Sequence, residues 1–169
     1  RANHLTIAQN IFPGHEKPRG GLLAPRAMRL EAAACLEQVG LACDPDTIVA
    51  ELIVAEKQLV EIAKALSRKA RLLIMDEPTA SLSAGETRKL FALMARLKAE
   101  GVTIVYISHK LDEMEAHTDE VVVMRDGKFV TRALTGDVNR RQMANLMVGR
   151  DVSDMFPPKR PAPANAPVL

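Results

Sequence analysis

Residues 72–83 read LLIMDEPTASLS. Four consecutive apolar residues, Leu72, Leu73, Ile74 and Met75, end in two adjacent carboxylates, Asp76 and Glu77. A short, wholly apolar run predicts a strand of a parallel sheet, buried on both faces. Carboxylates at the carboxyl end of such a strand face the crevice where open α/β sheets bind ligands. One carboxylate can hold a hydrated Mg²⁺, and its neighbour can polarise a water. That combination predicts the working end of a nucleotide triphosphatase.

An acidic pair after an apolar run is, taken alone, more often the start of a surface turn. Three neighbouring features point the other way. Pro78 and Thr79 follow directly, so the chain must turn at once. Ser83 and Glu86 form an S-x-x-E pattern, the signature of a capped helix start. A second apolar run, VTIVYI at 102–107, ends in Ser108 and His109. It brings a second polar residue of catalytic type to the same sheet edge.

These motifs resemble a known family. LLIMDEPT is similar to the Walker B strand of ABC-type ATPases with its adjoining glutamate. ISHK at 107–110 resembles their switch-histidine loop, and His109 lies 33 residues beyond Asp76. VEIAKALSRKARLLIMDEPTASL, taken with GRDVSDMFP at 149–157, is especially similar to the ATPase subunits of monosaccharide importers of the ribose, galactose, xylose and arabinose type. Those subunits carry two ATPase domains in tandem. The similarity runs to about residue 158 and corresponds to the later part of the first domain. It implies an α/β fold: a partial P-loop NTPase core with a parallel sheet, beside a helical subdomain. It also implies ATP and Mg²⁺ as cofactors. Asp76 would hold the metal through water, Glu77 would act as general base or orient the attacking water, and His109 would contact the γ-phosphate and hold Glu77. The implied partners are membrane-spanning permease subunits, a second ATPase domain and, indirectly, a periplasmic sugar-binding protein.

The sequence departs from that pattern in three places. No G-x-x-x-x-G-K-[ST] occurs, and Gly20-Gly21 is followed by Leu22-Leu23 rather than a lysine and a hydroxyl residue. The cradle of backbone N–H groups and lysine that holds phosphates is therefore missing. Residue 1 is Arg, and LTIAQNIF at 5–12 resembles the segment just after the family's glutamine-bearing loop. Gln9 stands inside that segment and is not expected to be the metal-sensing glutamine. An amino-terminally truncated piece of a larger protein is expected, inactive alone. Second, where the family presents L-S-G-G-Q at a helix start, this chain has Leu52, Ile53, Val54, Ala55 and Glu56. A helix N-terminus still attracts phosphate. Here the hydroxyl donor is gone, the glycines are replaced, and Glu56 adds negative charge, so nucleotide contact in trans through these residues is expected to be weak. Third, an aspartate is usual where Ser83 stands. Ser81, Leu82 and Ser83 match the loop that signals between paired domains, and Ser83 remains a good N-cap.

Composition narrows the function classes. The chain has 169 residues, 47% of them hydrophobic, enough for a real core. Its 23 basic and 21 acidic residues are well mixed, which is no electrostatic footprint for nucleic acid. Aromatics make up 3%, too few for a base-stacking surface. Cys35 and Cys43 lack metal-ligand spacing and point to a reducing compartment, with Cys35 on an apolar helix face. No apolar run approaches the roughly 20 residues of a membrane span, and no signal peptide is visible. The expected location is cytoplasmic, on the inner face of the membrane through permease subunits. His4, His15 and His117 lack motif context and are expected at the surface.

Residues 1–66 read as a helical, signature-bearing subdomain. Pro25 can open a helix, Met28, Ala32, Cys35, Leu36 and Val39 recur at helical spacing, and Gly40 stops it. Ala55, Leu59, Ile62 and Leu66 mark another amphipathic helix. Residues 67–150 read as the second half of an α/β core. A helix is expected from 84 to about 100, a short one from Lys110, a hairpin about Asp126-Gly127, and a last helix over 140–148. Residues 151–169 read as a linker, since 157–169 holds five of the ten prolines. Two rivals to the importer reading stand beside it: a soluble, non-transport ABC ATPase, and a non-catalytic interaction module.

Overall fold

Thr6 and Gln9 show how the first helix starts. The Thr6 hydroxyl accepts from the Gln9 N–H at 3.2 Å, and the Gln9 side chain accepts from the Thr6 N–H at 2.9 Å. This reciprocal cap opens α1 (Ile7–Ile11). The computed structural model describes residues 2–13 and 24–149. Gly20-Gly21, His15, the linker 151–169 and all but the first residue of the 149–157 motif lie outside them. The chain forms two compact units, Arg1–Ser108 and His109–Leu169.

In the first unit, α2 (Ala24–Gln38) has Pro25 in its first turn, where a missing N–H costs nothing. It is followed by Gly40 in the left-handed conformation, φ +71°. A 3-10 turn (Val49–Glu51) leads into α3 (Val54–Ser67). Ile7, Ile11, Ala32, Leu36, Val49, Val60 and Ala63 from these segments share one core. Cys35 packs partly buried against it, and burial, with Glu31 nearby, pushes its thiol pKa up. The region is not purely helical: Thr6 and Ile48 form an antiparallel bridge, with the Ile7 N–H donating to Thr47 and the Val49 N–H to Leu5. The extended backbone at Ile48 suits its β-branched side chain.

β1 (Leu72–Asp76), α4 (Ala84–Ala99) and β2 (Thr103–Ile107) make a strand–helix–strand unit with parallel pairing, from Leu72 opposite Thr103 to Asp76 opposite Ile107. The Ser83 hydroxyl and the Glu86 carboxylate cap α4 reciprocally at 3.3 and 2.7 Å. One expectation is corrected here. β1 is not buried on both faces but alternates: Leu73 and Met75 are in the core, while Leu72 and Ile74 are 52% and 67% exposed. Val105 and Ile107 of β2 are also exposed. Among the described residues of this unit, these apolar side chains share the sheet face turned away from the core.

The second unit runs α5 (Leu111–His117), β3 (Glu120–Arg125), β4 (Lys128–Leu134) and α6 (Arg140–Val148). Asp126 and Gly127 both have positive φ, +51° and +72°, which a two-residue hairpin turn of the right twist requires. Val121, Val123, Val138, Met143 and Leu146 form its core. Arg132 grips Glu120 across the hairpin with two hydrogen bonds, at 2.5 and 2.7 Å. α6 is capped by Asn139 at its start and ends at Gly149 with φ +81°.

Candidate active site

β1 delivers Asp76 as its last residue, and Glu77 follows outside the ladder. Parallel pairing carries the two strands in register to this end, so Asp76 lies opposite Ile107. The Asp76 residue is exposed and Glu77 is half-buried. Glu77 has φ +47°, in the left-handed region. A side chain there costs on the order of 1–2 kcal/mol, and such strain in a non-glycine residue is concentrated at functional sites. The conformation is held from β2: the Glu77 N–H donates to the Ile107 carbonyl at 2.9 Å. Pro78 and Thr79 are then buried, and the turn closes with the Ala80 N–H donating to Glu77 and the Leu82 N–H to Thr79. Ser81 and Ser83 are exposed and Leu82 is half-buried, between this turn and α4.

Leu52, Ile53, Val54, Ala55 and Glu56 sit elsewhere in the same unit, at the start of α3. Leu52 is buried, whereas Ile53 and Val54 are each 57% exposed. The Glu56 carboxylate accepts from the Ile53 N–H at 3.0 Å. Ile53 has no side-chain acceptor, so only half of a capping box forms, and one N–H at this helix end is taken by an internal anion. Ser108 ends the first unit, buried, and His109 opens the second, exposed. His4 and His117 are exposed.

The structure adds one feature to which the motifs gave no clue. The Tyr106 hydroxyl lies 3.3 Å from the Thr79 hydroxyl. In the sequence Tyr106 is only one more residue of an apolar strand. The aromatic type at a core-facing position of β2, one residue from the strand end, is the sole hint it offers.

The family model described as ABC transporter matches residues 2–80. A ribose import ATP-binding protein of Rubrobacter xylanophilus is 46% identical over 156 residues, 92% of this chain and 32% of that protein. Residues 2–80 thus carry an ABC transporter domain. A ribose import ATP-binding protein of Yersinia pestis is 43% identical over 162 residues, 96% of this chain and again 32% of the relative. A protein of Burkholderia ambifaria, provisionally named as a ribose/galactose/methyl galactoside import ATP-binding protein, is 44% identical over 98% of this chain. The chain thus spans about a third of the length of the curated relatives it matches. Among solved structures, a nucleotide-free ATP-binding cassette from an ABC transporter superposes with a TM-score of 0.67 at 24% identity, over 85% of this chain and 59% of that one. A chain of an inward-facing ABC transporter gives 0.71 at 15% identity, over 86% and 59%. At those identities the likeness establishes the ABC ATPase fold.

Proposed function

We propose that this chain supplies the later part of an ATP-hydrolysing domain of a monosaccharide importer. The carrying observation is the Asp76–Glu77 pair at the carboxyl end of a parallel strand, with Glu77 in a strained conformation over the sheet edge. The names of the relatives support sugar import as the process the hydrolysis drives.

Among the described residues no three His, Cys, Asp or Glu side chains cluster as a metal site. The lone exposed Asp76 suits Mg²⁺, which takes one or two carboxylates and keeps its waters. Bound there, Mg²⁺ would neutralise charge on the transferred phosphoryl group. Glu77 orients the attacking water, with Ile107 fixing its backbone. His109 contacts the γ-phosphate. Residues 1–66 form the subdomain that meets the permease, and residues 67–150 complete the catalytic core. Leu52, Ile53, Val54, Ala55 and Glu56 contribute little to nucleotide binding, because the Glu56 carboxylate already lies against the end of α3. Ser81, Leu82 and Ser83 make the loop toward the second ATPase domain. Among the described residues no helix is long and apolar enough to cross a membrane. In this reading the chain works on the cytoplasmic face, held there through the permease.

The test is Glu77→Gln in the full-length protein. Turnover should fall at least ~10²-fold, as for loss of a positioned acid–base group, while ATP affinity holds. Unchanged turnover removes Glu77 from the mechanism.

A further inference from the structure

Two consecutive residues of β2 hold the turn that carries Glu77. Ile107 does so directly, through the 2.9 Å hydrogen bond from the Glu77 N–H. Tyr106 does so from the side-chain direction, its hydroxyl 3.3 Å from that of Thr79, two residues beyond Glu77. Thr79 is 1% exposed, so its hydroxyl meets Tyr106 inside the protein rather than in bulk water. The Tyr106 ring is itself seated: Phe91 of α4, 7% exposed, tilts against it with ring centroids 5.8 Å apart.

We propose that Tyr106 is a positioning residue for Glu77, acting through Thr79. The inference rests on the reading of Glu77 as the water-orienting carboxylate. A residue at φ +47° relaxes toward ordinary backbone unless its surroundings over-determine it. The Ile107 carbonyl fixes one end of the turn, and the paired hydroxyls fix the other. Together they hold the backbone from which the carboxylate projects. Loss of the hydroxyl pair leaves strand, helix and Phe91 packing intact but lets the turn drift. Drift of about 1 Å at a reacting group can cost up to 10²-fold in rate.

The test uses the full-length protein, with steady-state ATP hydrolysis and amide hydrogen exchange at Glu77. Tyr106→Phe removes one oxygen and keeps the ring. It should lower kcat by about 5- to 20-fold, inside that limit, and leave KM for ATP within about 2-fold. Thr79→Val should match it, and Thr79→Ser, which keeps the hydroxyl, should restore wild-type kcat. The double variant Tyr106→Phe/Thr79→Val should be no slower than the slower single variant, because both remove one coupling. The Glu77 amide should exchange faster in Tyr106→Phe and Thr79→Val and not in Thr79→Ser. The proposal is overturned by full kcat in Tyr106→Phe, by losses that multiply in the double variant, or by an unchanged Glu77 exchange rate. If the wild-type protein hydrolyses no ATP, the functional reading fails on its own, and the exchange rates still decide whether the hydroxyl pair holds the turn.

Discussion

Replacing Glu77 by glycine and by alanine separates its backbone from its side chain. Both variants remove the carboxylate and everything it touches, so their difference isolates the left-handed backbone at φ +47°. Alanine keeps a Cβ in that region, at a cost of about 1–2 kcal/mol. Glycine escapes it but loses more entropy on folding, about 0.5–1 kcal/mol. The Glu77 N–H to Ile107 bond and the buried Pro78 and Thr79 hold the turn in either variant. The glycine variant should therefore be the more stable by about 0.5–1 kcal/mol, or roughly 1–4 °C in Tm for a protein of this size. Urea unfolding followed by circular dichroism, with equal slopes in both variants, reads the difference. An alanine variant as stable as the glycine variant, or more so, would mean that Glu77 carries no backbone strain. Its claim to be a built functional position would then lose its main physical support.

Three further outcomes are expected. Calorimetric titration of this chain alone with Mg-ATP should show no low-micromolar binding, because no phosphate loop is present; a tight stoichiometric isotherm would contradict this. Gly149→Ala should destabilise the protein by about 1–2 kcal/mol: φ is +81°, and the new Cβ would lie 2.7 Å from the Arg125 guanidinium carbon, displacing the group that donates to the Leu146 carbonyl at the end of α6. Thermal unfolding with no shift would refute it. Hydrogen bonds with the Ser83 side chain and backbone hold the Glu86 carboxyl below its usual pKa. Because the unfolded chain then binds more protons, the charged cap stabilises above about pH 4.3 and is lost as pH falls toward the depressed value. The Tm gap between wild type and Glu86→Gln should close on acidification, and a gap constant from pH 7 to 3 would refute that.

Most of the architecture was legible because local chemistry and tertiary structure agree. Ser83 with Glu86, Asp126 with Gly127, and Gly40 mark their caps and turns unambiguously, and the helix over 140–148 starts and stops where its sequence says. The wholly buried strand was misread because an apolar run reports what a strand tolerates, not how many layers cover it. Leu72 and Ile74 suit a covered face but meet none among the described residues. The Asp76–Glu77 pair was found from its place after an apolar run. The strain at Glu77 was not, since φ is set by Pro78, Thr79 and the Ile107 carbonyl together. Tyr106 escaped notice because its partner Thr79 lies 27 positions away and only strand pairing brings the two together. The Glu56 cap was also hidden, because the pattern for it looks for a hydroxyl where Ile53 stands.

The central claim is that hydrolysis at Asp76 and Glu77 drives sugar import. It is tested by reconstituting the full-length protein with its permease in vesicles and measuring ATP hydrolysis and monosaccharide uptake together. The account predicts that sugar, with its binding protein, stimulates hydrolysis, and that Glu77→Gln abolishes hydrolysis and uptake in parallel. Sugar uptake that persists in Glu77→Gln vesicles, or hydrolysis indifferent to every pentose and hexose supplied, would contradict it.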